Sequence, residues 1–193
     1  MKNNIENIKI ESLKETRYIK PLSVEFVLNG VKKTWEVVRS HDSVSILLYH
    51  KEKDSFLLVK QFRMPVYLND SKIKYTYELC AGLIDKDKTI EEIAIEEIDE
   101  ECGYEVDLNS IQKITSFFTN VGISGAKQHL FFTTISEKQK IHNGGGVNDE
   151  QIELFFLPTS QCDEFIFDES KAKTPGLIFS LYWFLKNKKY LGF

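Results

Sequence analysis

The segment from Thr89 to Gly103 constrains the fold most, because it combines a helical pattern with many acidic residues. Thr89 is a typical N-cap residue, and Gly103 suits the position just after a helix C-terminus, so a helix is predicted through Cys102. Spaced at about 100° per residue, the apolar side chains fall on one side of this helix: Ile90, Ile93, Ala94 and Ile98. That side must face the protein core.

Three glutamates share the apolar side of the helix. Glu97, Glu100 and Glu101 lie beside the apolar stripe or extend it, near the negative end of the helix dipole. Most acidic runs are simply solvated helix faces. This angular placement favours a bound divalent cation, since Mg²⁺ prefers carboxylate oxygens and keeps positions open for water and phosphate. Three further acidic residues fall elsewhere and are expected to be solvated: Glu92, Glu96 and Asp99.

The rest of the chain is dominated by strand patterns. Residues 22–39 alternate around Asn29-Gly30, a strong hairpin turn signal. Other strands are predicted at 43–49, 56–62, 75–81, 111–119, 129–135 and 152–157, and Pro175 opens a closing helix. The pattern predicts an α+β fold with an α/β/α arrangement. We expect a small N-terminal antiparallel sheet in residues 1–40 and the main domain in residues 41–193.

Charge and composition argue against several classes of protein. A net charge of −4 without a basic stripe speaks against nucleic-acid binding. No stretch approaches the roughly eighteen apolar residues of a membrane span, and residues 1–13 lack the apolar run of a signal peptide. Three cysteines leave one unpaired in any disulfide scheme, which favours reduced thiols. We therefore expect a cytoplasmic protein without nucleic-acid or membrane partners.

The segment from Gly82 to Tyr104 resembles the Nudix box, in which a glycine, a loop and a helix bearing Arg-Glu-hydrophobe-x-Glu-Glu-x-Gly recur at fixed spacing. Residues 96–103 here read Glu-Glu-Ile-Asp-Glu-Glu-Cys-Gly, and the spacing matches without a gap. The resemblance implies a Nudix fold with a mixed central sheet. It also implies a site for Mg²⁺, with Mn²⁺ as a possible substitute, whose ligands are the carbonyl of Ala81 and the carboxylates of Glu97, Glu100 and Glu101. Glu100 is further expected to take part in catalysis.

Two positions depart from the Nudix pattern. Lys88 stands where the box has a glutamate, and Glu96 stands where it has the arginine that usually steadies the helix glutamates. Both positions are thus reversed in charge. We predict that Lys88 and Glu96 form an ion pair of opposite polarity.

Outside the box, the chain resembles the branch of Nudix hydrolases that acts on ADP-ribose and UDP-sugars. Arg63 matches a strand end at which this branch binds the substrate diphosphate, and an arginine fork suits phosphate oxygens. Trp35 lies in the N-terminal sheet that this branch exchanges in a homodimer, where an aromatic ring stacks on the nucleobase; simple packing is the alternative. Glu78, just ahead of the box, is the third expected substrate-binding residue.

The loop from Thr119 to Gly125 bears on the choice of substrate. It lacks the proline typical of ADP-ribose hydrolases and resembles the UDP-glucose pyrophosphatases instead. This resemblance implies that a metal-activated water attacks one phosphorus of UDP-glucose and yields UMP and glucose 1-phosphate. The alternative is cleavage of ADP-ribose to AMP and ribose 5-phosphate. A more remote alternative, suggested by the altered Lys88 and Glu96, is a nucleotide-sugar sensor without catalysis.

The attacking water needs a base, which in this branch is commonly a carboxylate on a mobile loop. Gly144-Gly145-Gly146, followed by Asn148-Asp149-Glu150, predicts such a loop. Glu150 is the best-placed candidate for the base, and Glu153 is the second. For either residue, a solvated loop carboxylate is the alternative interpretation.

Overall fold

The computed structural model describes residues 5, 8–11, 15–16, 19–147 and 150–192. Asn148 and Asp149 of the expected acidic loop, and most of the chain before residue 19, lie outside the described residues. The first two strands, β1 (Lys20–Leu28) and β2 (Val31–Arg39), form a separate antiparallel sheet. Asn29 and Gly30 connect them with φ of 53° and 79°, as a two-residue hairpin turn requires. The predicted N-terminal hairpin is confirmed.

Eight strands of the described chain form the main sheet. They are β3 (Ser43–His50), β4 (Ser55–Gln61), β5 (Thr76–Glu78), β6 (Cys80–Leu83), β7 (Gln112–Phe118), β8 (Lys127–Ile135), β9 (Ile152–Pro158) and β10 (Ala172–Lys173). Strand β3 is central, because it pairs antiparallel with β4 and β6 and parallel with β8. The sheet is mixed, as the resemblance implied.

Helices cover both faces of this sheet. They are α1 (Met64–Asn69), α2 (Ile90–Glu97), α3 (Cys162–Phe167) and α4 (Pro175–Asn187). One face packs on α2 through a core that includes Val44, Ile46, Ile93 and Ile98. The other face packs on α3 and α4 through Leu47, Phe56, Leu181 and Phe184, among others. The predicted α/β/α arrangement is confirmed.

The acidic helix begins as predicted and ends differently. Thr89 caps it, accepting a hydrogen bond from the Glu92 N–H at 3.2 Å, while the Glu92 carboxylate accepts from the Thr89 N–H at 2.8 Å. Glu92 thus closes a capping box and is not merely solvated. After Glu97 the helix widens into a π-helical turn, Ile98–Cys102, where regular α-helix was expected. Such turns are frequent at functional sites.

Gly103 ends the π-helical turn with a left-handed φ of 76°. A Cβ at this position would lie 2.3 Å from the carbonyl oxygen of His142. Gly144, also left-handed, packs its backbone against the carbonyl of Glu101. Two backbones therefore meet without intervening side chains, and only glycine allows that approach.

Cys80, Cys102 and Cys162 are buried and free of disulfide bonds, which confirms the expectation of reduced thiols. Of the helices described, none has the length and apolar character needed to cross a membrane.

Replacing Gly103 with alanine should destabilise the fold. The left-handed backbone alone costs an alanine about 1–2 kcal/mol, and the contact with His142 adds to it. Urea unfolding should therefore show a lower midpoint for Gly103→Ala. The control is Gly125→Ala, since a Cβ there meets no atom within 4 Å. Equal midpoints for both variants would contradict the close packing at Gly103.

Candidate active site

Glu101 lies beneath the end of the helix, against β6. Its carboxylate Oε2 accepts a hydrogen bond from the Ala81 N–H at 2.9 Å, and only 4% of the residue is exposed. Pairing of β6 with β3 sets Ala81 opposite Ser45 and fixes this strand in the sheet. Two of the predicted metal ligands, Ala81 and Glu101, are thus adjacent.

Glu97 lies over Gly82, the first residue of the box. A Cβ on Gly82 would come within 2.0 Å of the Glu97 carboxyl carbon, so the glycine makes room for this side chain. Together, Gly82 and Ala81 place the carboxylates of Glu97 and Glu101 on the same short stretch of β6. The sequence prediction that both glutamates face the core side is confirmed, since Glu97 is half-buried and Glu101 buried.

Both carboxyl groups are held in surroundings that disfavour their negative charge. Burial raises the pKa of Glu101 to about 8 and that of Glu97 to about 7. Their neighbours add repulsion, from Glu97 and Glu150 on Glu101 and from Glu100 and Glu150 on Glu97. A cation among these groups would relieve both the repulsion and the loss of solvation.

Glu100 is more exposed and lies beside a small basic loop. Lys88 contacts Glu96, so the predicted ion pair of reversed polarity is confirmed. Lys86 was not identified from the sequence, yet its ammonium lies 3.0 Å from Glu96 Oε2 and 3.9 Å from Glu100 Oε1. The reversed charge at position 96 could have indicated this lysine, because a glutamate at that position favours a cation nearby.

Arg63 and Glu78, both expected to bind substrate, bind each other. Arg63 Nε and Nη2 donate to the two carboxylate oxygens of Glu78, each at 2.8 Å, and Thr76 donates its hydroxyl to the same carboxylate. Glu78 is 9% exposed. Since its oxygens are engaged by Arg63 and Thr76, Glu78 holds Arg63 in place, and a direct contact of Glu78 with substrate stays a prediction.

Arg63 itself lies near the glutamates. The hydrogen bond to Glu78 raises the pKa of the guanidinium, and the charges of Glu101 and Glu150 raise it further. The structure therefore brings Arg63, Glu97, Glu101 and Glu150 into one electrostatic neighbourhood.

The glycine run is anchored to the end of the helix. Gly145 N–H donates to the Glu101 carbonyl at 2.9 Å, and Gly146 N–H donates to the Glu100 carbonyl at 3.1 Å. The helix carbonyls thus bind the N–H groups of these glycines, and the mobility expected of this loop stays a prediction. Glu150 follows, with its carboxylate accepting from the Val147 N–H at 3.0 Å.

Glu153, the second candidate for the base, lies elsewhere. It sits on β9 opposite Lys60, and their side chains pair at 3.0 Å. Its neighbours Ile152 and Leu154 belong to the core on the α2 side. Because side chains alternate along a strand, Glu153 faces the α3 and α4 side. This placement separates it from the helix glutamates and argues against the expected catalytic role.

Trp35 is half-exposed on the hairpin and borders a cavity of about 410 Å³. Its indole N–H donates to the Gly122 carbonyl at 2.9 Å, and the Val38 N–H donates to the Ile123 carbonyl at 2.9 Å. The hairpin thus rests on the loop that was expected to distinguish substrates. The cavity between them is lined by both elements, with Trp35, Arg39 and Asp42 among its walls.

The donors near the helix end suit a hard cation, because they are carboxylate and carbonyl oxygens. Across the described residues, no three His, Cys, Asp or Glu side chains converge closely enough to hold a metal ion. Ligation therefore requires rotation of the glutamate side chains from the arrangement seen. A bound cation would offset the burial and mutual repulsion that now disfavour the charges of Glu97 and Glu101.

The raised pKa values predict a pH dependence of stability. A carboxyl group with a raised pKa binds its proton more tightly in the folded chain. For Glu101, this tighter proton binding contributes fully to stability at pH values below the ordinary pKa of 4.5. The contribution is lost as the pH rises through the raised pKa of about 8. In EDTA, the melting temperature of the wild type should fall more steeply over this window than that of Glu101→Gln. Parallel profiles would contradict the prediction, and Glu105→Gln, an exposed carboxylate, is the control.

Comparison with known proteins agrees with this geometry. The NUDIX domain model matches residues 39–174. The uridine diphosphate glucose pyrophosphatase of Bos taurus is 32% identical over 93% of this chain and 94% of its own length. The GDP-mannose pyrophosphatase of Cronobacter sakazakii is 34% identical over 85% of this chain and 86% of its own. Because the matched region contains the whole box together with the sheet that supports it, the chain belongs to the Nudix hydrolase family.

Proposed function

We propose that this protein is a Mg²⁺-dependent hydrolase of nucleoside diphosphate sugars and that it converts UDP-glucose to UMP and glucose 1-phosphate. The observation that carries the proposal is the pair of carboxylates packed on Ala81 and Gly82, of which Glu101 is buried and Glu97 half-buried. Relatives similar over most of their length are named for cleavage of UDP-glucose and GDP-mannose. Intact glutamates in the box argue against a sensor without catalysis.

The residues that would hold Mg²⁺ are Ala81, through its carbonyl, and Glu97, Glu100 and Glu101. When bound, Mg²⁺ supplies positive charge for the diphosphate oxygens and makes the attacking water more acidic. Arg63 adds a second positive charge. Glu78 engages its Nε and Nη2 atoms, which orients the remaining N–H groups of the guanidinium for phosphate oxygens.

Glu150 is the proposed general base. Its carboxylate influences the pKa of both Glu97 and Glu101, so it lies close to the groups that would bind metal. Water attacks one phosphorus, the bridging P–O bond breaks, and the water proton passes to Glu150. The bridging oxygen leaves on the second phosphate. Before this step Glu150 must release the Val147 N–H that it now accepts.

The nucleobase is proposed to bind in the cavity beside Trp35. The ring is half-exposed and its N–H is fixed by the Gly122 carbonyl, so the indole is oriented before any ligand arrives. Flat aromatic surfaces of this kind stack well on bases.

We also propose a homodimer formed through the N-terminal hairpin. Four apolar side chains are exposed together on the hairpin, as at an interaction surface: Val24 at 40%, Val27 at 63%, Leu28 at 48% and Val31 at 57%. The residues before 41 would then act as a dimerisation element and residues 41–193 as the catalytic domain. The buried free thiols support a reducing compartment, and we propose the cytoplasm.

Product analysis tests the activity directly. The wild type should release UMP from UDP-glucose with Mg²⁺ and not with EDTA. Glu101→Gln should lower the rate by about a hundredfold or more, because it removes a charged metal ligand, whereas the exposed control Glu105→Gln should retain activity. GDP-mannose and ADP-ribose are assayed alongside. Faster cleavage of either would show that the loop from Thr119 to Gly125 does not select UDP-glucose, and cleavage of none would favour the sensor.

Light scattering after size exclusion tests the dimer. The wild type should have twice the mass of the 22.4 kDa chain. Val27→Lys should shift it to a monomer, since a charge would enter an apolar interface. Leu108→Lys, at an exposed apolar residue of the main domain (48% exposed, against 63% for Val27), should not change the mass. A monomeric wild type would overturn the proposal.

A further inference from the structure

The helix that carries the candidate metal ligands has no cation of its own. Residues 90–102 contain seven acidic side chains and no lysine, arginine or histidine. Four of the seven, Glu96, Glu97, Glu100 and Glu101, lie at the end that meets the site, and two of these have their charge disfavoured by burial. Positive charge for this end of the helix must come from another element.

Two lysines of the preceding loop supply it in a chain of contacts. Lys88 contacts Glu96 Oε1, and Lys86 lies 3.0 Å from Glu96 Oε2. The same Lys86 ammonium also lies 3.9 Å from Glu100 Oε1. Glu96 therefore binds a different lysine with each oxygen, and Lys86 connects Glu96 to a candidate metal ligand. Charges in such a network hold one another more firmly than an isolated surface pair.

The loop that carries Lys86 is fixed at both ends. The Ile84 N–H donates to the Asp42 carbonyl at 2.8 Å, and the Lys88 N–H donates to the Lys86 carbonyl at 3.0 Å. Thr89 then begins the helix with its capping box. The backbone at Lys86 is thus set relative to the helix, and its side chain extends from the loop to Glu96 and Glu100.

We propose that Lys86 is a positioning residue for Glu100, supplying from the loop the cation that the helix lacks and keeping the Glu100 carboxylate at the end of the helix where Glu97 and Glu101 would bind metal. This inference rests on the proposed metal site. It differs from simple charge neutralisation, because a cation that acted only through its charge would repel the metal. Loss of such a cation would then tighten metal binding, whereas loss of a positioning contact weakens it.

The test measures binding of Mn²⁺ to the full chain in the absence of nucleotide. The concentration of free Mn²⁺ is measured from its electron paramagnetic resonance signal. Lys86→Met should raise the Kd for Mn²⁺ by about tenfold, the lower end of what loss of a partner to a metal ligand costs. Lys86→Arg should stay close to the wild type. Lys72→Met, which removes an exposed lysine outside the network, is the control for net charge.

A rescue variant makes the test specific. Combining Lys86→Met with Lys88→Glu and Glu96→Arg returns the cation to the helix and gives it a partner in the loop. If Lys86 replaces that missing cation, the triple variant should recover most of the Mn²⁺ affinity lost in Lys86→Met.

Unchanged or tighter binding in Lys86→Met would overturn the inference, and so would a triple variant no better than the single one. These outcomes leave the proposed function intact, because the wild type would still bind Mn²⁺ and its hydrolysis is measured separately. If the wild type bound no Mn²⁺, both the inference and the proposed metal site would fall. Lys86-dependent Mn²⁺ binding without hydrolysis of any nucleotide sugar would support the inference and refute the proposed function alone.

Discussion

The hydrogen bond from the Ala81 N–H to the Glu101 carboxylate joins the two halves of the site. It ties the end of the acidic helix to strand β6, which the sheet holds through pairing with β3. A buried carboxylate with one backbone donor remains poorly compensated, and burial keeps the pKa of Glu101 high. The fold therefore maintains, at a fixed place, a group whose ionised form is stabilised by a cation. Other parts of the site are arranged around this contact.

Glycines make that arrangement possible through close approach. Gly82 admits the Glu97 side chain, while Gly103 and Gly144 let the π-helical turn and the following loop meet backbone to backbone. The N–H groups of Gly145 and Gly146 satisfy the last helix carbonyls. Glu150 follows this anchored segment, and its carboxylate accepts a hydrogen bond from the Val147 N–H at 3.0 Å.

Much of the fold, and the placement of the candidate metal ligands Glu97 and Glu101, could be predicted from sequence, because each depended on local periodicity. The Asn29-Gly30 turn, the Thr89 cap and the core side of Glu97 and Glu101 all follow from spacing along one element. The side of Glu153 could not be predicted in this way. Strand β9 is apolar on both faces, since Ile152 and Leu154 face one core and Phe155 and Leu157 the other. The alternation of apolar and polar residues therefore could not show which face of the sheet Glu153 lies on.

Contacts between elements that are distant in the sequence could not be predicted from the sequence pattern either. Glu78 was expected at the substrate, and only the fold shows that its carboxylate is taken by Arg63 and Thr76. The π-helical turn was missed because a single helical spacing was applied through Cys102, whereas tertiary bonds from the glycine run engage the last carbonyls.

The two cations of the site are held on the same principle. Glu78 binds Arg63, and Glu96 binds Lys86. In each pair the acid neutralises part of the charge and limits the directions in which the cation can point. The proposed binding of metal ions and a diphosphate at this site requires that its cations and anions do not simply pair with each other. Partners outside the carboxylate cluster achieve this separation, because they satisfy Arg63 and Lys86 without engaging the oxygens of Glu97 and Glu101. For this reason the reversed charges at positions 88 and 96 are compatible with such a site. The requirement is a cation near Glu100 that has an acidic partner, and either the loop or the helix can carry that cation.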